Sequence, residues 1–213
     1  GKLETTGTIS FTNGTVSNPD LHLDIKDMSL RCSSDDLIRM HTKPGQYFKI
    51  GSLNFNDFLL QNLIVRYQVQ SRELITLESC NFNWANGTIF IPTLNIRPGQ
   101  NDLRTTIYCE KIRFEDAFKA FGFKNVQCRG ELYGKIPLYL CDRGVFFYDA
   151  FLYTIGGAPE KLNFEAPEEV RNVAAGNANM DLAYEALKNY EYTSARMNIS
   201  SEADKLKINL KLS

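Results

Sequence analysis

The sequence predicts a mainly β protein in which an antiparallel sheet curls into an open groove or folds into a sandwich, with about two short amphipathic helices. Apolar and polar residues alternate with a period of two over several long segments, which is typical of half-buried strands. Clusters of Asn, Asp and Gly separate these segments, as expected for turns between antiparallel strands. Because all-β domains of 213 residues are often undivided, we expect residues 1–213 to form one domain.

The first third of the chain is predicted to begin with a hairpin. Residues Thr8–Phe11 and Thr15–Ser17 flank Asn13-Gly14, a pair that favours the two positive φ angles of a type I′ turn. Alternation over residues 21–26 predicts a half-buried strand. Ser34–Asp36 is then predicted to cap a short helical turn.

The middle of the chain reads as one strand after another. Within residues 63–70 the odd-numbered positions are apolar and share one face. Residues 73–82 and 87–94 are predicted to form a hairpin, and residues 103–110 form a further alternating strand.

Two stretches have helical spacing instead. Phe114, Ala117, Phe118 and Phe121 fall at i, i+3, i+4 and i+7, which predicts an amphipathic helix with an aromatic stripe. The second predicted helix covers residues 177–190, with Leu and Ala along one side.

The last third returns to strands. We expect strands over residues 126–133, 136–141 and 145–154, with turns at Gly134 and at residues 142–144. The final strand has one fully apolar face and one face of Lys and Asn, a pattern that suits a sheet exposed to water on one side only. The apolar face of this strand is formed by Leu206, Ile208, Leu210 and Leu212.

Charge and hydropathy exclude several classes of protein. Lys and Arg number 24 against 25 Asp and Glu, and this balance argues against a nucleic-acid partner, which would favour a basic surplus. No apolar run approaches the roughly 18 to 20 residues that a transmembrane helix needs. Since the chain opens at Gly1 without an initiator Met, we expect an excised piece of a longer protein.

Neither a catalytic motif nor a metal-binding motif is recognisable. The two histidines, His22 and His41, have no ligand spacing and no nucleophile elbow beside them. The five cysteines are widely and irregularly spaced, so we interpret them as small buried apolar residues, with one disulfide left possible. The sequence therefore predicts no enzyme activity, no metal and no cofactor.

A carbohydrate-active domain is the remaining enzymatic alternative. Glu131, Asp142 and Asp149 occur on successive strands and could face one cleft, as a glycosidase requires. An exposed aromatic platform of Trp84 with Tyr148 and Tyr153 would support glycan binding instead. Solvated surface positions are the simpler interpretation of these acids.

The apolar strand faces allow two interpretations. They form either the closed interior of a sandwich or an apolar groove that stays open because the sheet curls without closing. A lipid tail in such a groove would be stabilised by about 0.8 kcal/mol for each buried methylene. The pattern of residues does not decide between the two.

The last third of the chain resembles the carboxy-terminal region of the YdbH-like proteins. The matching segments are Gly130–Leu138, Asp142–Val145, Phe151–Gly157 and Leu187–Tyr192. In that family a G-x-x-x-G-x-I-P strand pair precedes a Gly-rich turn, a helix and the entry into the closing strands, and the order agrees here. The resemblance covers about 85 residues well.

The resemblance implies a function for the chain. YdbH-like proteins belong with the AsmA/TamB-type envelope proteins and also carry the older label "dicarboxylate transport". They are thought to form elongated β grooves that carry phospholipid between membranes and they are not enzymes. The expected location is the periplasm of a Gram-negative bacterium, with the full-length protein tethered to the inner membrane.

On this basis we predict that the chain binds phospholipid, or another acyl-chain lipid, and packs against the remainder of the same long polypeptide. The helix at Phe114 is a possible plug at the end of the groove. An alternative is a structural module that pairs through exposed sheet edges. The predicted lipid contacts are Leu138, Leu140, Val145, Phe147, Leu206, Ile208, Leu210, Phe114, Phe118 and Phe121.

Overall fold

The computed structural model describes residues 5–56, 58–120, 126–157, 159–164, 190–202 and 205–213. These residues form seventeen strands and one α-helix, α1, which spans Phe114–Ala120. In chain order the strands are β1 (Gly7–Asn18), β2 (Leu23–Asp36), β3 (His41–Thr42), β4 (Gln46–Phe55), β5 (Phe58–Ser71), β6 (Leu74–Trp84), β7 (Gly87–Ile91), β8 (Leu94–Ile96), β9 (Leu103–Arg113), β10 (Val126–Cys128), β11 (Glu131–Cys141), β12 (Gly144–Phe147), β13 (Ala150–Thr154), β14 (Glu160–Phe164), β15 (Tyr190–Tyr192), β16 (Ala195–Glu202) and β17 (Lys205–Leu212).

Fourteen of these strands belong to one large antiparallel sheet. Its main path runs β1-β2-β4-β5-β6-β7-β9-β11-β13-β16-β17, with the short strands β3, β8 and β12 attached to β2, β6 and β11. The sheet is not closed, because within the described ranges β1 and β17 do not pair with each other. The other three strands form a small sheet in the order β10-β14-β15. The prediction of a mainly β, antiparallel fold is therefore confirmed.

The carboxy-terminal half of the large sheet is covered by a second layer. Helix α1 connects β9 to β10 and packs with the small sheet against β9, β11, β13 and β16. Phe114 of the helix is fully buried, as are Ile112, Leu132 and Leu152 of the large sheet. This cluster is the main hydrophobic core.

The amino-terminal half of the large sheet, β1 to β6, has buried apolar residues and a line of irregular positions. Ile50 and Leu60 are only 5% and 8% exposed, although no described element covers this half. Four adjacent strands each have an irregular residue at neighbouring positions: Asn13 in β1, Asp27 in β2, Gly51 in β4 and Asn62 in β5. The three residues of this group that are not glycine have positive φ. Bulges bend strands and increase their twist, so we infer that the sheet bends along this line, which we call the crease.

The predicted hairpin at Asn13-Gly14 is wrong. A type I′ turn needs positive φ at both central residues, and only Asn13 has it, at 58°. Strand β1 continues through this point, and the pair forms a bulge opposite Met28. A type I′ conformation occurs instead at Ala85 and Asn86, with φ of 48° and 57°, and closes the predicted hairpin of β6 and β7.

The predicted turn at Gly134 is also wrong, because β11 runs through it without a break. The glycine is needed for a close approach, since a Cβ there would lie 2.1 Å from the carbonyl oxygen of Phe151. The predicted turn at residues 142–144 is confirmed and connects β11 to β12. The predicted strand over 126–133 is divided, with β10 in the small sheet and β11 in the large one.

The other local predictions had mixed outcomes. Asp36 accepts hydrogen bonds from the backbone N–H groups of Ile38 and Arg39, so it caps a turn as predicted, although no helix follows. Helix α1 is confirmed, and Phe121 lies outside the described residues. The second predicted helix, over 177–190, also lies outside them except for Tyr190, which begins β15. The described residues thus contain one helix, where about two were expected.

The cysteines are mostly small buried residues, as predicted. All five are free thiols, and Cys80, Cys109 and Cys128 are buried. Burial raises the pKa of the Cys109 and Cys128 thiols to about 12, so both stay protonated near neutral pH. A neutral buried thiol packs as an apolar group and is a poor nucleophile.

Candidate functional site

The cross-strand register places one apolar face along the whole large sheet, which we call the inner face. Directly opposed residues of an antiparallel pair point to the same side, so a row of partners can be followed from strand to strand. The first row of the inner face is Phe11, Leu30, Phe48, Val65, Cys80 and Ile91. A second row is Phe82, Ile89, Cys109, Gly134, Leu152, Met197 and Leu210. No charged residue occurs in either row.

The opposite, outer face has a different chemistry. Row partners there include Lys49 and Ile64, Tyr108 and Lys135, and Arg196 and Lys211. Lys135 and Arg196 lie over the ring of Phe151, at 5.7 Å and 4.9 Å from its centroid. The sheet therefore has one mixed charged and aromatic face and, on its opposite side, a continuous apolar face.

The dimensions of the inner face fit acyl chains. Eleven strands at a spacing of about 4.8 Å give a path of roughly 48 Å. One lipid tail spans about half of a hydrocarbon core of about 30 Å, so it covers roughly a third of this path. The part of this path that no described element covers comprises β1, β2, β4, β5 and β6, which span roughly 19 Å, about the length of one tail.

The two edges formed by the strand ends in the carboxy-terminal half differ. At one edge α1 and the small sheet bury the inner face completely. At the other, which we call the open rim, β9 and β12 begin, β11 ends, and β16 and β17 form a hairpin. Three apolar residues of the open rim remain accessible: Leu140 (42% exposed), Val145 (49%) and Leu206 (47%).

Seven of the predicted lipid contacts share the inner face of β11, β12 and β17; Leu140, Val145 and Leu206 are exposed at the open rim, whereas Phe147 and Ile208 pack against the core. Leu138 opposes Phe147, and Leu140 opposes Val145, in the β11–β12 pair. Leu206, Ile208 and Leu210 point to the same face from β17. The side chains of Val145, Phe147 and Leu206 line one cavity of about 220 Å³. A second cavity of about 600 Å³ lies at the same rim, between Leu94, Leu103 and Leu140.

The three phenylalanines of the predicted plug have a different position. Phe114 and Phe118 stack with ring centroids 5.0 Å apart, and Phe114 meets Tyr192 edge-on at 6.4 Å. Both are buried in the core at the closed edge, away from the open rim, and Phe121 lies outside the described residues. Phe114 and Phe118 thus fill the closed edge with protein side chains.

Sequence analysis recognised alternating strands in the amino-terminal half but predicted no lipid contact there. Phe48 and Val65 oppose each other there, and Phe58 stacks with Trp84 at a centroid distance of 6.0 Å. The signal was present as alternation over residues 46–55 and 58–71. It did not predict lipid contacts because an alternating strand looks the same whether or not a second layer covers it.

The features proposed for a carbohydrate-active domain do not converge. Glu131 and Asp142 flank β11, about 33 Å of extended strand, whereas paired glycosidase acids lie within about 10 Å. Asp149 is exposed. Trp84 is on the inner face and Tyr153 on the outer face, so they share no platform.

The described residues include neither a metal-binding cluster nor a membrane-spanning helix. No group of three or more His, Cys, Asp or Glu side chains that could hold a metal occurs in the described part of the chain. Among the described residues, no helix combines the length and the apolar character needed to cross a membrane.

A long open antiparallel sheet with one continuous apolar face places the chain in the class of mainly β proteins. A model of the YdbH-like family, described as the intermembrane phospholipid transport protein YdbH, matches residues 1–213, and the chain belongs to this family. The resemblance seen in the last third thus extends over the whole chain. Neither the curated proteins nor the solved structures give a match. The family implies a phospholipid cargo and a place in the cell envelope, between membranes.

Proposed function

We propose that the inner face holds phospholipid acyl chains, and that the chain is a periplasmic segment of an intermembrane phospholipid-transport protein tethered to the inner membrane. The observation that carries this proposal is the unbroken apolar inner face, which no second layer covers between β1 and β6 among the described elements. Membership of the YdbH-like family supports the choice of phospholipid as the ligand.

The energetics of such a groove suit transport. A tail of about fifteen methylenes gains roughly 12 kcal/mol when it moves from water onto an apolar surface, at about 0.8 kcal/mol per methylene. In a bilayer the tail is already sheltered from water, so transfer from the bilayer to the inner face is close to neutral. A lipid in the groove can therefore enter either membrane but does not escape into water.

The continuity of the inner face provides the path. Between β1 and β6 the first row of the inner face is apolar and no described element covers it, so a tail that slides along these strands meets no charged side chain in that row. The crease at Asn13, Asp27, Gly51 and Asn62 curls the sheet around this path.

Site-specific photo-crosslinking tests the location of the lipid. Phe48 lies on the inner face and its neighbour Tyr47 on the outer face, and both are half-buried aromatic residues of β4. We expect a benzophenone amino acid at position 48 to capture co-purifying phospholipid, detected by mass spectrometry, and the same probe at position 47 to capture little. Equal capture at both positions, or no phospholipid in the purified protein, contradicts the proposal.

A second candidate function, pairing through a sheet edge, is favoured by the composition of β1. This edge strand has twelve residues and no charged side chain, whereas the other edge strand, β17, carries Lys205, Lys207 and Lys211. Charged side chains protect a sheet edge from further pairing, so β1 is the unprotected edge. We propose that β1 pairs with a strand from the remainder of the same polypeptide and so extends the groove.

A further inference from the structure

The open rim contains an amphipathic cavity whose polar side the proposed acyl contacts do not use. Val145, Phe147 and Leu206 form its apolar wall, and Arg143, Lys205 and the hydroxyl of Ser201 lie on the same cavity of about 220 Å³. Arg143 is in the turn between β11 and β12. Lys205 is the first residue of β17 and belongs to its outer face, so the cavity lies at the open rim, where the two faces of the sheet meet. Two cations from distant parts of the chain thus meet beside exposed apolar side chains.

Both cations are available to an anion. Of the described carboxylates near them in sequence, Glu202 is held by Lys207 at 2.8 Å, and Asp142 accepts a hydrogen bond from Asn101 at 3.1 Å. Arg143 and Lys205 make no ion pair within the described residues.

Two further contacts prepare the cavity for an anion. The guanidinium of Arg143 lies over the ring of Phe146, 5.7 Å from its centroid, which holds it at the cavity mouth. Ser201 Oγ accepts a hydrogen bond from the backbone N–H of Phe147 at 2.9 Å. Its own O–H is therefore left to donate.

We propose that Arg143 and Lys205 bind the phosphate of a phospholipid headgroup whose acyl chains lie on the inner face, and this inference rests on the proposed function. A guanidinium matches the geometry of phosphate, and a neighbouring ammonium adds a second positive charge. Two cations favour a headgroup with net negative charge over a zwitterionic one.

The size of the cavity limits what it can hold. At about 220 Å³ it is below the roughly 300 Å³ at which sites for drug-sized ligands begin, so it admits a phosphate ester but not a whole lipid. The tails then lie over the exposed apolar side chains of the open rim, Leu140, Val145 and Leu206, because Ile208 beyond them packs against the core.

Binding of three soluble probes tests the headgroup site. Dihexanoyl phosphatidylglycerol carries both tails and phosphate, dihexanoylglycerol has the tails alone, and inorganic phosphate has the anion alone. The double variant Arg143→Gln/Lys205→Gln removes both cations. Its matched control is Arg196→Gln/Lys211→Gln. This variant removes two cations that stand opposite each other on the outer face of β16 and β17. Unfolding by urea checks that both variants remain folded.

We expect Arg143→Gln/Lys205→Gln to weaken binding of the phosphatidylglycerol probe by about tenfold, as loss of charge-assisted hydrogen bonds does, and to leave dihexanoylglycerol binding unchanged. The control variant should change neither. Equal affinity of both variants for the phosphatidylglycerol probe overturns the headgroup site but leaves acyl binding intact. Inorganic phosphate that binds as tightly as the lipid probe shows a free-anion site and also overturns it. If the unmodified protein binds neither lipid probe, the proposed function itself fails.

Discussion

At the scale of single residues, the sheet depends on a few positions where the backbone departs from ordinary strand geometry. Asn13, Asp27 and Asn62 have positive φ, which Asn and Asp tolerate better than most residues. Gly134 has a different role, because it lets β11 and β13 approach more closely than a side chain would allow. These residues shape the inner face without being part of a ligand site.

Gly134→Ala should destabilise the protein strongly. The added Cβ would lie 2.1 Å from the backbone oxygen of Phe151, so β11 and β13 must move apart. We expect the free energy of unfolding in urea to fall by about 3 kcal/mol or more, at or above the upper end for overpacking. Gly157→Ala is the control, since a Cβ there meets no atom within 4 Å and should have almost no effect. A Gly134→Ala protein as stable as the control would refute this account.

At this scale the sequence predicted the structure correctly where a residue pattern fits only one backbone conformation. The prediction was wrong where the same pattern fits two conformations. Helix α1 was predicted because only a helix places Phe114, Ala117 and Phe118 on one side. The Asn13-Gly14 pair suits both a turn and a bulge, since an Asn with positive φ occurs in each. In the structure β1 pairs with β2 on both sides of Asn13-Gly14, so the pair forms a bulge rather than a turn.

At the scale of elements, the crease across β1, β2, β4 and β5 controls the curvature of the groove. The irregular residues stand opposite one another in successive strands, so their bends add up along one line. A flat sheet would leave Ile50 and Leu60 exposed on an uncovered face, whereas both are buried.

Substitution of Asn62 tests the crease. A β-branched residue is strained at the φ of 53° found there, so we expect Asn62→Val to lower the free energy of unfolding by about 1 to 3 kcal/mol. Asn62→Gly is the matched control, because glycine adopts positive φ without strain. Crosslinking of lipid from position 48 should decrease in the valine variant as the curl relaxes. If the valine and glycine variants are equally stable and crosslink equally well, the bulge does not set the curvature.

At the scale of the whole molecule, the two edges of the large sheet differ in their readiness to pair. Strand β1 is long, uncharged and apolar on its inner side, with Ile9, Phe11 and Val16 exposed. Strand β17 displays three lysines on its outer side. An open groove built this way can extend past β1 but is protected at β17.

Self-association should therefore proceed through β1. We expect the chain to dimerise at about 100 µM in sedimentation experiments, because two uncharged edge strands can pair when no other strand is supplied. Ser10→Lys should shift the equilibrium toward monomer. Asn209→Lys, on the outer face of β17, is the control and should not. A protein that stays monomeric at this concentration, or dimers that persist in Ser10→Lys, would count against β1 as the pairing edge.

The sequence by itself determined the local pattern: alternating strands, the hairpin of β6 and β7, helix α1 and membership of the YdbH-like family. It did so because side-chain periodicity and turn chemistry act over a few residues. Only the tertiary structure showed that none of the described elements covers the amino-terminal half of the inner face, since an alternating strand has the same pattern with or without a covering layer. It alone also brought Arg143 and Lys205 to one cavity, because residues so distant in sequence meet only through the pairing of β11, β12, β13, β16 and β17.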